Sequence, residues 1–312
     1  MAPPLVSPLR RVRPASIRPE PLKPGDNLRG AALMCASMVA FTCNDAVVKF
    51  VSQDLPLYQV ITLRGAVVMV LIALLAQRQG GLRLRIDRAA RRPMSLRLLG
   101  ELGSTLLFLN ALQHMAIGDL TAIMQALPLA VMLGAALFFG ESLGWRRLTA
   151  VLVGMAGVLL ILRPGSGAFG IWSLVALGAM LLVALRDLST RSFGAQVGSA
   201  TIAFYAAAAV TVMGLVLSLF QGWETPSLRQ LALLGLSGLF LSVGYVTAVS
   251  AMRIGEISAV APFRYTSLLA AIILGLLVFG EWPDAWTWAG SALVVGAGIY
   301  TIWRESRLGR RA

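Results

Sequence analysis

The stretch Ile117-Gly118-Asp119-Leu120-Thr121-Ala122, an apolar helix and Phe139-Gly140-Glu141 returns about 140 positions later. The second version runs Ile254-Gly255-Glu256-Ile257-Ser258-Ala259, an apolar helix, then Phe279-Gly280-Glu281. A repeat of this length in so apolar a chain means a duplicated membrane unit. If the unit crosses the bilayer an odd number of times, its copies lie upside down relative to each other. Secondary transporters build a central binding site from such inverted halves.

The surrounding composition supports the membrane reading. The 312 residues are 57% hydrophobic and 13% charged, against about 25% charged in soluble domains. The charges are clumped, leaving apolar runs of about 20 residues, the length that spans a bilayer core. A soluble protein of this composition exposes large apolar patches, so that class is excluded. The net charge of +13 does not point to nucleic acid, because the basic residues sit between apolar runs and build no folded basic surface. Cys35 and Cys43 fall on one predicted helix, about 12 Å apart by helical rise, too far for a disulfide. Residues 1–27 hold seven of the 14 prolines with Arg10, Arg11, Arg13, Arg18 and Lys23. They have no apolar core, so they read as a disordered basic tail and not as a signal peptide.

Apolar runs bounded by Gly, Pro and charge predict ten helices, near 29–51, 57–77, 96–116, 119–139, 145–163, 170–191, 198–220, 227–252, 256–280 and 285–303. With ten spans both termini share one side. That side carries 22 of the 27 Lys and Arg residues, including the long basic loop from Arg78 to Arg97. The opposite loops hold Arg163 and Arg229. The positive-inside bias therefore places both termini in the cytoplasm of a multi-pass inner-membrane protein. The duplication divides the chain at Pro164-Gly165-Ser166-Gly167. The first five-helix unit covers 28–165, the second covers 166–305, and 306–312 form a second basic tail. Five is odd, so the copies are inverted. Asn44-Asp45 and Lys49 align with Arg186-Asp187 and Arg191, and Ala156-Gly157-Val158 aligns with Ala297-Gly298-Ile299.

Two five-helix halves, Gly140-Glu141 and Gly280-Glu281 at the ends of the fourth helices, and Ala259-Val260-Ala261-Pro262-Phe263-Arg264-Tyr265 make the chain similar to the drug/metabolite transporter superfamily, in its ten-helix EamA-type branch. The resemblance covers about residues 28–305. It implies an all-α carrier of small metabolites, often amino acids or related compounds and often outward. It also implies a cavity between the halves lined by helices 1, 3, 4, 6, 8 and 9, and a small-molecule substrate with no cofactor.

The residues add detail. Arg64 and Arg264 each lie about 12 Å into a helix by helical rise. A charge at that depth costs about 2.5–3.5 kcal/mol on insertion scales and normally faces a cavity or a partner. Each is either a ligand for a substrate carboxylate, which guanidinium grips in bidentate fashion, or half of a buried ion pair. Asp45 and Lys49 suit an i,i+4 pair. With Asp187 and Arg191 they read as matched gates, one per membrane face, or as snorkelling side chains. Pro128 and Pro262 bend helices 4 and 9 and free backbone carbonyls. Gln125, Phe263 and Tyr265 flank the bends as candidate substrate contacts, with Tyr205 and Tyr245, or simply pack. Glu101 is a salt-bridge partner of Arg97 or a carboxylate that couples transport to a proton gradient. His114 is an interfacial histidine or a proton sensor. Glu141 and Glu281 read as structural anions at helix N-termini. Gly154 and Gly157, like Gly235 and Gly238, allow close helix approach.

There is no phosphate loop for ATP and no metal or nucleophile constellation, which argues against an ATP-driven pump and a lipid-modifying enzyme. The sequence therefore predicts a non-enzymatic carrier in contact with membrane lipid, moving a carboxylate-bearing metabolite by alternating access. Export is favoured over uptake of an amino-acid-like or nucleoside-like compound, and monomer and homodimer both stay open.

Overall fold

A computed structural model describes residues 26–78, 87–139, 145–163, 170–191, 199–254 and 260–309. All regular elements there are helical, as a lipid environment requires of backbone that cannot bond to water. They run α1 (Asp26–Val51), α2 (Leu57–Arg78), α3 (Arg88–His114), α4 in two pieces (Ile117–Met124 and Leu127–Phe139), α5 (Trp145–Leu162), α6 (Ile171–Arg191), α7 (Ser199–Gln221) and α8 (Leu228–Ile254). In α9 a 3-10 turn (Ala261–Tyr265), an α segment (Thr266–Leu274) and a π segment (Gly275–Phe279) follow one another, and α10 spans Ala285–Gly309.

Among the described residues, six helices are long and apolar enough to cross a membrane on length and composition alone: Asp26–Val51, Leu57–Leu75, Ile117–Phe138, Ile171–Thr190, Thr201–Gln221 and Leu228–Ala251. Shorter apolar helices lie at Leu148–Leu162 and Phe263–Phe279. In α3, Arg88, Arg91, Arg92, Arg97 and Glu101 dilute the apolar run.

Packing follows the duplication. α1 packs on α8, and α6 packs on α3. α1 also meets α9 as α6 meets α4, and α2 meets α8 as α7 meets α3. α2–α7, α5–α10 and α4–α9 pair across the centre. Exchanging every helix for its counterpart five places along maps this set onto itself, so the contacts carry a two-fold relation between two inverted five-helix units. The start of α1 and the end of α10 mark one face, called here the near face; the α1–α2, α3–α4 and α9–α10 connections lie on the far face.

Small residues make the tightest crossings. A Cβ on Gly157 of α5 stands 2.7 Å from the Gly290 carbonyl oxygen of α10, and a Cβ on Gly290 stands 2.5 Å from that of Gly157. Gly238 of α8 lies against Val67 of α2, whereas a Cβ on Gly235 meets nothing within 4 Å. Gly235 therefore does not serve the close approach its spacing predicts. Gly280 ends α9 at φ +67°, the left-handed cap that glycine adopts without steric cost.

Three expectations need correction. α3 begins at Arg88, with Pro93 inside it, so part of the supposed basic loop is helix. α4 breaks at Gln125 and Ala126, and Pro128 sits in the first turn of the second piece instead of at a mid-helix bend, a position where its missing N–H costs nothing. Pro262 likewise falls at the start of a 3-10 turn. The expectations for residues 1–27 lie outside the described residues but for 26 and 27, as do those for 140–141, 164–167, 255–259 and the side chain of Arg191.

Candidate functional site

Lys49 lies in the last turn of α1 and reaches across to the α9–α10 connection. Its Nζ is 2.6 Å from Glu281 Oε1 and also donates to the Met115 carbonyl at 2.6 Å. The other Glu281 oxygen accepts from Ile117 N–H at 2.9 Å. One carboxylate thus receives an ammonium and the first N–H of α4, where the helix dipole favours an anion. The Phe279 ring lies 5.0 Å below Nζ. This knot ties α1, the end of α3, the start of α4 and the α9–α10 connection on the far face. It corrects two expectations. Lys49 pairs with Glu281 and not with Asp45, and Glu281 caps α4 and not the helix that follows it.

Beside the knot is a cavity of about 590 Å³ lined by Lys49, Phe50, Gln53, Gln113, Phe279 and Glu281 among others. His114, also in its wall, stacks on Trp172 with ring centroids 3.7 Å apart. Its Nδ1 is 2.8 Å from the Asn110 carbonyl. A carbonyl only accepts, so Nδ1 carries the shared proton.

Deeper in the far half, Asn44 Oδ1 accepts from Ser237 of α8 at 2.7 Å and from Arg64 of α2 at 3.2 Å, while Asn44 Nδ2 donates to Asp45 Oδ1 at 2.9 Å. Arg64 is 8% exposed. Its guanidinium sits in this network with Asp45 nearby.

The near half holds the counterpart. Arg186 of α6 aligns with Asn44, and it faces α3 as Asn44 faces α8. Its Nε donates to Asp187 Oδ1 at 2.9 Å, and its NH1 lies 3.5 Å from Glu101 Oε1. Arg97 lies 3.5 Å from the other Glu101 oxygen and donates to Thr190 Oγ1 at 2.7 Å. Arg97, Arg186, Asp187, Thr190 and Tyr245 line a cavity of about 250 Å³. Tyr245 also meets Phe41 of α1 edge-on at 5.7 Å. The cluster carries two guanidinium and two carboxylate groups, so its charges balance.

Between these levels the two discontinuous helices meet. Gln125, at the break in α4, donates to Ser267 Oγ of α9 at 2.8 Å, and Ser267 donates to the Arg264 carbonyl at 3.0 Å. Phe263 and the Arg264 side chain are exposed. Among the described residues the Arg264 guanidinium has no hydrogen-bond or ion-pair partner, unlike Arg64, Arg97 and Arg186. Tyr265 turns the other way, toward α10, where its hydroxyl fills the space a Cβ on Gly298 would need. It packs against α10 and does not share the exposed surface of Phe263 and Arg264. Tyr205 lies on α7 and lines neither cavity.

Arg186, Asn44 and Ser237 were not singled out from sequence. The repeat carried the signal for Arg186, since it aligns with Asn44 beside a duplicated aspartate. Nothing in the sequence pointed to Ser237.

Helices exchanged by a two-fold relation, broken helices that cross at their breaks, and polar clusters toward each face define an inverted-repeat, multi-pass membrane protein. The chain belongs to the EamA-like transporter family, which it matches twice, over residues 28–163 and 170–303. It is 27% identical over 187 residues to an S-adenosylmethionine uptake transporter of Rickettsia bellii, covering 60% of this chain and 64% of that protein. It is 30% identical over 190 residues to a riboflavin transporter of Rhizobium johnstonii, covering 61% and 63%. Both matches span less than two thirds of the relative's length. The pseudopaline exporter CntI of Pseudomonas aeruginosa is 29% identical over 274 residues, covering 86% of this chain and 94% of that protein. A solved crystal structure with 17% identity superimposes with a TM-score of 0.63 over 90% of this chain and 98% of its own, a likeness of fold.

Proposed function

We propose that the protein is a secondary transporter of the cytoplasmic membrane, with both termini cytoplasmic. It carries a small polar, carboxylate-bearing metabolite by alternating access of its inverted halves. Arg264 supports the carboxylate. Among the described residues its guanidinium stands exposed on the broken stretch of α9 without a hydrogen-bond or ion-pair partner, while those of Arg64, Arg97 and Arg186 are engaged. Broken helices expose backbone groups where transporters bind ligand, and Arg264 lies beside the Gln125–Ser267 link between the two breaks. Phe263 offers an apolar wall. The Lys49–Glu281 knot ties the far face, so this conformation is closed there.

Export is the favoured direction, because the relative matched along nearly its whole length is named an exporter. Uptake of an amino-acid-like or nucleoside-like compound is the second reading, favoured by the partial matches to uptake carriers. The domain units 28–165 and 166–305 are the two halves that rock.

Purified protein screened by thermal shift against amino acids, nucleosides, vitamins and organic acids identifies ligands. Counterflow in liposomes, with and without a pH gradient, then measures movement. Arg264→Ala is expected to weaken a carboxylate ligand by at least about tenfold, one lost charge-assisted contact. Hits that are all indifferent to Arg264→Ala overturn the carboxylate argument, and hits that never move overturn the carrier.

A further inference from the structure

Lys49 and Glu281 stand at the wall of a cavity far larger than they need. The Lys49 side chain is 7% exposed and its partner 25%. The cavity that both line holds about 590 Å³, with the Phe50 and Phe279 rings and the amides of Gln53 and Gln113 around it. A cation and an anion 2.6 Å apart, the cation nearly buried, set a strict condition on any ligand. A simple carboxylate that takes Lys49 leaves Glu281 without its counter-charge, and a simple amine that takes Glu281 does the same to Lys49. Leaving one ion of such a pair alone is strongly unfavourable. A zwitterion meets the condition. Its carboxylate takes Lys49, its ammonium takes Glu281, and two ion pairs replace one.

From this geometry we infer that the far-face cavity is a binding site for an amino-acid-type zwitterion, which opens the knot by inserting into the Lys49–Glu281 pair. The inference rests on the carrier reading for its purpose, since a solute passing the far face then releases the contact that seals it. The site itself is independent of Arg264. The Phe279 ring, already 5.0 Å from the Lys49 ammonium, gives the ligand ammonium a second partner through cation–π attraction. Phe50 adds a second apolar ring to the cavity lining. Ile117 N–H and the Met115 carbonyl hold Glu281 and Lys49 from behind, so both ions stay in place while they exchange partners.

The test uses the full-length protein in nanodiscs, in the Arg264→Ala background so that a second carboxylate site does not contribute. Three matched probes are titrated by tryptophan fluorescence: norleucine, hexanoate, which lacks the amine, and pentylamine, which lacks the carboxylate. Norleucine is expected to bind at least about tenfold more tightly than either control, the ratio for one uncompensated charge contact. Glu281→Gln removes the internal competitor and keeps an acceptor for Ile117 N–H. It is expected to tighten hexanoate at least about tenfold while norleucine loses its advantage. Lys49→Met abolishes both; if that variant does not fold, the reversal in Glu281→Gln decides alone. Equal affinity of hexanoate and norleucine, no norleucine binding, or equal changes in both upon Glu281→Gln overturn the site. Because binding is read without a gradient, a protein that binds norleucine at this site yet moves nothing in liposomes defeats the carrier and leaves the site standing. Transport that ignores Glu281→Gln, alongside equal probe affinities, does the reverse.

Discussion

Separate replacement of Lys49 and Glu281 by methionine should destabilise the protein unequally, in an order fixed by what each survivor keeps. Breaking a buried ion pair by removing one partner costs about 3–5 kcal/mol when the remaining charge is fully buried. In Glu281→Met the ammonium of Lys49, 7% exposed, is left with the Met115 carbonyl and the Phe279 ring. That survivor lies near the lower end of the range, at about 3 kcal/mol. In Lys49→Met the carboxylate of Glu281 is 25% exposed and still accepts from Ile117 N–H at the start of α4. Water and the helix end reduce its cost to about 1.5–2 kcal/mol. The double variant leaves no lone charge. Its cost is the loss of side-chain partners by Met115 C=O and Ile117 N–H, about 1–2 kcal/mol beside a wet cavity. The double-mutant cycle should therefore close with a coupling of about 2.5–4 kcal/mol, at or just above the top of the range for residues in direct contact. Unfolding in mixed dodecylmaltoside–SDS micelles, followed by circular dichroism at constant protein concentration, measures all four free energies. A larger cost for Lys49→Met than for Glu281→Met, or additivity to within about 0.5 kcal/mol, refutes the reasoning.

Gly157→Val puts side-chain atoms into the Gly290 carbonyl of α10 and should cost about 1–3 kcal/mol in the same unfolding assay. Gly235→Ala, with open space around the added carbon, should be neutral or slightly stabilising. Asp284 accepts from Thr287 N–H at 2.8 Å as the cap of α10, so Asp284→Ala should cost about 1 kcal/mol. Partial burial raises the Asp284 pKa, but the Thr287 hydrogen bonds and then Arg163 outweigh it, leaving the pKa below the ordinary carboxylate value. A carboxylate whose pKa is lower in the folded state stabilises above its unfolded pKa near 3.9 and loses that contribution as pH falls through the folded value. The cost of Asp284→Ala should thus be full at pH 6 and shrink below about pH 4; a cost that grows on acidification contradicts the assignment. Asp45→Ala should loosen the far half and Asp187→Ala the near half, measured by labelling of single cysteines at each face with an impermeant maleimide. Identical accessibility changes from the two variants end the matched-gate reading.

The helices were legible because lipid demands long apolar runs closed by charge, glycine or proline, and eight of the ten starts fall within three residues of their predicted positions. α3 was misjudged because the criterion sees only the apolar part. Arg88, Arg91, Arg92 and Pro93 look like loop, yet a helix that extends beyond its apolar run carries such residues freely. The start of α9, expected at 256, falls among residues the structure does not describe. The α4 break was placed at Pro128, where the covalent defect is, whereas the chain leaves the helix just before, at Gln125–Ala126. The site was less legible. Local spacing proposes Lys49–Asp45, but the real partner is 232 positions away. Tyr265 follows Arg264 in sequence and turns to α10 instead, which only the absence of a side chain at Gly298 permits.

The repeat itself held the missing partner. Glu281 ends the second version of the duplicated stretch and Ile117 begins the first, and they touch. The two ends of the motif are thus parts of one contact assembled from different copies. The deeper clusters obey the same relation with different chemistry. On the far side Asn44 meets Ser237, with the guanidinium supplied by α2. On the near side Arg186 supplies it from α6 and meets Glu101. If the halves rock about the two-fold relation, the exchanged state places equivalent backbone in equivalent positions, but it compresses two guanidinium and two carboxylate groups where the other compresses one guanidinium and one carboxylate with an amide and a hydroxyl. Those groups differ in the cost of losing water by several kcal/mol, so the inward-closed and outward-closed states cannot be equal in energy. On that reading, the unequal polar residues at matched positions decide which of the two states the empty protein occupies.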